Sequence, residues 1–103
     1  MDITVEQLKD KLDRGETPVL LDVREIQEVK IASIGGTHIP MNLVPLRIQE
    51  LDPSKEIIVY CHSGGRSAAI VNFLQKHGFD NVRNLLGGID EWSLSIDPKV
   101  PRY

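Results

Sequence analysis

The sequence has 103 residues, 41% of them hydrophobic and 26% charged, with a net charge of −3 at pH 7. That is enough chain for one domain around one core, and a balance that argues against broad binding to nucleic acid or to an anionic membrane surface. A single cysteine rules out an internal disulfide and a multi-cysteine zinc site, no apolar run approaches membrane-spanning length, and Met1 to Glu6 lacks the pattern of a signal peptide, so a cytoplasmic protein is expected.

Thr4 reads as an N-cap, with Gln7 completing a capping box and Ile3 placed to staple onto Leu8. Val5, Leu8 and Leu12 then share one helical face, and Gly15 stops the helix. Val19 to Val23 is an apolar run without clean alternation, as suits a strand covered on both faces. Asp22 and Arg24 fall near its carboxyl end, where a structural ion pair is favoured over direct catalysis. Glu25 to Ile31 suits a short helix, Ser33 to Thr37 a turn, and Thr37 to Pro40 a brief extended piece. His38 is expected to be hydrogen-bonded in place rather than functional. Asn42 is placed to cap a helix over residues 43–51, with Pro45 tolerated in its first turn, and residues 52–54 form a turn.

Glu56 to Tyr60 predicts a buried strand and Ser67 to His77 a helix ending at Gly78. His77, in its last turn, and Trp92, as a core anchor with its N–H satisfied, are read as structural. A further strand is expected over residues 82–85, and a short helix over residues 89–94 after Gly87-Gly88. Residues 97–103, punctuated by proline, are expected to run along the surface. Alternating strands and helices give an α/β domain over residues 1–103, with a mostly parallel sheet flanked by helices.

The informative stretch is Cys61-His62-Ser63-Gly64-Gly65-Arg66-Ser67, between the central strand and the helix that follows it. Open α/β sheets place their ligand sites at such strand ends. Backbone amides of the loop and the positive end of the helix dipole favour an anion, and the same field favours thiolate over thiol. Arg66 adds a fixed positive charge and His62 is a candidate for a second. A lone cysteine is often a small buried hydrophobe. Here the two glycines and the arginine that follow it are not needed for packing, and glycine permits close approach of a ligand.

A thiolate in an anion cradle suits attack on phosphorus in a phosphate ester, or attack on the outer sulfur of a donor such as thiosulfate. Four residues separate Cys61 from Arg66, one fewer than in the Cys-(x)5-Arg loop of cysteine phosphatases, so a smaller anion is expected. No clear general acid follows the loop, which ester cleavage would want and sulfur transfer does not.

Three motifs in order resemble the rhodanese (sulfurtransferase) family: residues 21–25, similar to its early DVRE motif; the loop 61–67; and residues 87–92, similar to its late GG…W motif. Residues 31–40 and the ending Pro101-Arg102-Tyr103 resemble the C-terminal rhodanese domain of adenylyltransferase-sulfurtransferases, although no adenylating domain is present in this sequence. The resemblance implies a rhodanese-like fold over residues 1–103, with Cys61 as nucleophile and persulfide carrier. It implies a cradle of backbone amides from His62, Ser63, Gly64, Gly65, Arg66 and Ser67, with Arg66 holding the loop or meeting the donor and Asp22 and Arg24 bracing it. The implied donor is thiosulfate or a protein persulfide, and the implied acceptor a thiol or a sulfur-carrier protein. No metal or organic cofactor is implied. The alternatives are a relay module that docks a cysteine desulfurase or carrier protein and, less favoured, a cysteine phosphatase or arsenate reductase.

Overall fold

In the computed structural model, which describes residues 1–103, five parallel strands form one sheet. They are β1 (Asp2–Ile3), β2 (Val19–Asp22), β3 (Thr37–His38), β4 (Ile57–Tyr60) and β5 (Val82–Leu85), in the order β1-β5-β4-β2-β3. The α/β class with a parallel sheet is the one expected, and every strand pair is parallel. No helix is long and apolar enough to cross a membrane.

Strand alternation divides the core. On β4, Ile57 and Val59 face one apolar cluster, with Cys61 following in phase; Ile58 and Tyr60 face the other. The Cys61 face is covered by α3 (Gly65–Lys76) through Ile70, Val71 and Leu74, and by the segment carrying Val44 and Leu51. The opposite face is covered by α1 (Val5–Asp13) through Val5 and Leu8 and by α4 (Gly88–Ser95) through Ile89 and Trp92. All four β4 residues are fully buried, which is why its sequence is an unbroken apolar run.

The Thr4–Gln7 capping box forms in both directions. Leu12, expected on the buried face, is instead 38% exposed, one residue before the end of α1, and only Val5 and Leu8 of the helix are buried. The segment 24–32 makes the short helix α2 (Ile26–Ile31). No helix forms over residues 43–51. Two separate 3-10 turns, Met41–Leu43 and Ile48–Glu50, stand there instead. Pro45 has no amide to donate to Met41, and only Val44 and Leu51 of the stretch are buried, so no continuous apolar stripe rewards a helix. Trp92 is buried as expected, and its indole N–H, which has no acceptor within the protein, is not shut away from solvent. His38 is held through Nε2, 2.6 Å from the Arg24 carbonyl, and His77 through Nδ1, 2.8 Å from the Phe73 carbonyl.

The Cys61 loop as a candidate active site

Cys61 leaves the end of β4 and enters the first turn of α3. Gly64, at φ 111°, turns the chain into the helix. That conformation is strained for any residue with a Cβ, and it swings the Gly64 amide back onto the cysteine. Gly64 N donates to Cys61 Sγ at 3.1 Å, Ser67 N donates at 3.4 Å, and Ser67 Oγ lies 3.3 Å from the same sulfur. Cys61 is 1% exposed. Its backbone side packs among apolar residues, while its sulfur faces polar donors.

These donors decide the chemistry of the thiol. Burial alone pushes its pKa up, since it penalises the charged form. Hydrogen bonds from the hydroxyl and amide of Ser67 and from the amides of Gly64 and Ser63 outweigh it, and the pKa falls below the ordinary value. Each hydrogen bond to a charged group stabilises it by roughly 1.5–3 kcal/mol. The amides of Gly65 and Arg66, the next two of α3, meet no protein acceptor, as expected for the first turn of a helix.

The other predicted residues divide into two groups. Ser63 and Gly65 are exposed on the loop. The Arg66 side chain grips Glu28 of α2 with two hydrogen bonds, at 2.7 and 2.8 Å. The Arg66 guanidinium holds the Glu28 carboxyl down to about 2. The pairing ties the first turn of α3 to α2. His62 stands on the rim, its ring stacked on Tyr103 at 4.2 Å and its Nε2 4.0 Å from Asp90 Oδ1.

Asp22 and Arg24 form the expected ion pair, fully buried, with Nη2 2.7 Å from Asp22 Oδ2. Burial pushes the Arg24 guanidinium down, but hydrogen bonds to Asp22 and Tyr103 outweigh it and raise it overall. The pair does not touch the Cys61 loop. Strand alternation puts Asp22 on the face of Tyr60, opposite to Cys61. Arg24 instead bonds the carbonyls of Glu28 and Ala32 and the Tyr103 hydroxyl. Any bracing of the loop from there runs through α2, by way of Glu28 and Arg66.

Three residues at the site were not singled out from sequence. Glu28 and Tyr103 are one pair: the Tyr103 hydroxyl donates to Glu28 Oε1 at 2.9 Å, while Arg102 pairs with Asp90 at 2.9 Å, so the tail crosses the rim of the loop. Nothing local in the sequence marks this, because the partners lie 75 residues apart. The third is Asn84, buried on β5, which bonds both Ser67 and Gly64. A polar residue two positions beyond Val82, on the same strand face, was the available signal.

Known proteins share this sequence pattern and fold. Residues 4–95 match the family model described as the rhodanese-like domain. The chain is 36% identical to the putative sulfurtransferase YtwF of Bacillus subtilis, covering 95% of each. It is 41% identical to the putative sulfur carrier protein YrkF of the same organism, covering 89% of this chain and 50% of that one. It is also 35% identical to adenylyltransferase and sulfurtransferase MOCS3-2 of Zea mays, covering 98% of this chain and 23% of the relative. The chain therefore spans half or less of several curated relatives that it matches. Among solved structures, a rhodanese-related protein from Thermoplasma volcanium superposes with a TM-score of 0.86 at 31% identity, over 99% of this chain and 98% of that one.

Proposed function

This chain belongs to the rhodanese-like domain family, and on that premise we propose that residues 1–103 act as one domain that carries a sulfane sulfur on Cys61 from a donor to a thiophilic acceptor. The observation that carries the reading is the convergence of the Gly64 and Ser67 amides on Cys61 Sγ, with the Ser67 hydroxyl oxygen 3.3 Å from the same atom. These donors favour the thiolate, which is the nucleophile.

In the first step the Cys61 thiolate attacks the outer sulfur of thiosulfate or of a persulfide. A new S–S bond forms, the donor's S–S bond breaks, and sulfite or a thiolate leaves with the electron pair. The product, Cys61–S–S⁻, carries its charge one atom further out, towards the cradle spanning His62 to Ser67. There the amides of Gly65 and Arg66 are free to receive it. In the second step an acceptor nucleophile attacks that outer sulfur and the Cys61 thiolate leaves, closing a double displacement. Each step forms one bond to sulfur and breaks one S–S bond, so the cycle needs neither metal nor organic cofactor. A free thiol persists in a reducing cytoplasm, which suits the reading. The wild type is expected to form thiocyanate from thiosulfate and cyanide, and Cys61→Ser to abolish it. A Cys61→Ser variant with full activity overturns the proposal.

One observation favours relay from a protein persulfide over thiosulfate as the working donor. The Arg66 charge is already paired with Glu28 at 2.7 Å, which weakens its pull on a sulfonate. In a persulfide the charge sits on the sulfur being transferred, which the amides can hold. The natural acceptor on this reading is a thiol or a sulfur-carrier protein. Rapid loading from a persulfidated protein alongside slow turnover of thiosulfate supports it, and loading from thiosulfate alone counts against it.

A further inference from the structure

Asn84 is 6% exposed at the end of β5, and no step of the proposed cycle uses it. Its partners settle which way its amide points. The atom 3.2 Å from the Gly64 carbonyl oxygen must be the NH2 group, which leaves Oδ1 2.5 Å from Ser67 Oγ. Oδ1 carries no hydrogen, so the Ser67 hydroxyl donates to it. The same hydroxyl lies 3.3 Å from Cys61 Sγ and 3.2 Å from the Gly64 carbonyl. One proton therefore faces three acceptors, and the nearest is Asn84.

The two protonation states of Cys61 use this arrangement differently. A thiol can donate its own hydrogen to Ser67 Oγ while the hydroxyl proton stays on Asn84. A thiolate can only accept, so the hydroxyl must turn from Asn84 to the sulfur. We infer that Asn84 is a positioning residue that competes with Cys61 for the Ser67 hydroxyl proton, holding it while the site rests and yielding it as the sulfur gains charge. Its NH2 group has a second effect. Together with the Ala68 amide, 3.1 Å from the same oxygen, it holds the Gly64 carbonyl and so the planar Gly64–Gly65 peptide, which turns the Gly65 N–H in the opposite direction, away from Asn84.

The competition is read on the thiol itself, apart from any sulfur transfer. The experiment is the pH dependence of iodoacetamide alkylation of the sole cysteine in the wild type, Asn84→Ala, Ser67→Ala and the double variant. Asn84→Ala frees the hydroxyl for the sulfur and is expected to lower the thiol pKa by about one, a tenfold gain in thiolate below the pKa. Ser67→Ala is expected to raise it. In the Ser67→Ala background, removing Asn84 is expected to give no lowering, since no proton is left to compete for. Asn84→Leu, which fills the space without an acceptor, repeats the test should the alanine variant unfold. An unchanged or raised pKa in the Asn84 variants, or an equal lowering without the Ser67 hydroxyl, overturns the inference. Failure of these proteins to take sulfur from any donor would overturn the proposed cycle and leave the alkylation result standing.

Discussion

Two helices of this molecule start in the same way and use their first turns differently. Each follows a strand of the central sheet and begins at a pair of glycines, Gly64-Gly65 for α3 and Gly87-Gly88 for α4, with the first glycine of each pair at positive φ. At α3 the loop and first-turn amides are aimed at a sulfur atom or at nothing in the protein. At α4 the amides of Ile89 and Asp90 donate to the carbonyls of Cys61 and His62, both at 3.0 Å. The second helix thus uses its first-turn donors to fix the backbone of the loop, and the first leaves the amides of Gly65 and Arg66 without a protein acceptor. A helix start is a polar resource, and the packing around it decides whether that resource goes to structure or to a ligand.

The glycines offer the sharpest way to break this comparison. A Cβ on Gly88 would lie 2.5 Å from both the Cys61 and the His62 carbonyl oxygens, atoms of a backbone that cannot step aside. Gly88→Ala is expected to cost at least about 2–3 kcal/mol in chemical denaturation and to displace the loop, slowing alkylation of Cys61. Gly64→Ala meets no atom nearer than 3.5 Å, so its cost is that of the φ of 111° alone, roughly 1–3 kcal/mol. It is expected to raise the thiol pKa as well, because the Gly64 amide leaves the sulfur.

Acid sharpens the contrast further. The start of α3 is tied to α2 by the Arg66–Glu28 ion pair, whereas that of α4 is tied to the loop by backbone hydrogen bonds that do not titrate. The fold holds the Glu28 carboxyl at about 2, against 4.5 for the free group. Its contribution to stability is complete above about pH 4.5 and is lost as the pH falls towards 2. Denaturation curves across that window are expected to converge for the wild type and Glu28→Gln at the acid end and to separate above it. The smallest effect is expected at Gly65, whose φ is not positive and whose Cβ would meet nothing. Gly65→Ala should change stability by less than about 1 kcal/mol, towards greater stability, since alanine suits a helix better.

How far the sequence could be read follows from where its information is local. The capping box at Thr4, the strand over Val82–Leu85 and the end of α3 are written in neighbouring residues, and they appear as expected, while His38 is hydrogen-bonded in place as expected by a carbonyl 14 residues away. The two-residue strand β1 carries too few positions to show any alternation. The 43–51 stretch offered a cap and a helical run, but Pro45 and its mostly exposed face removed the reward for a helix. At the site, the Cys61 loop was legible because glycines and a strand–helix junction mark it locally. Asn84, Glu28 and Tyr103 were not, because each reaches the loop only through the fold. The placement of Asp22 away from Cys61 follows from strand alternation and parallel register, which require the pairing of β2 with β4 to be known.

The central claim is that sulfur is held on Cys61. Intact-mass measurement after incubation with thiosulfate, or with a small-molecule persulfide, tests it most directly, because no other cysteine can take the atom. The account predicts a gain of one sulfur atom, reversed by cyanide or excess thiol. A mass that stays unchanged with every donor, while iodoacetamide still alkylates the thiol, would contradict it.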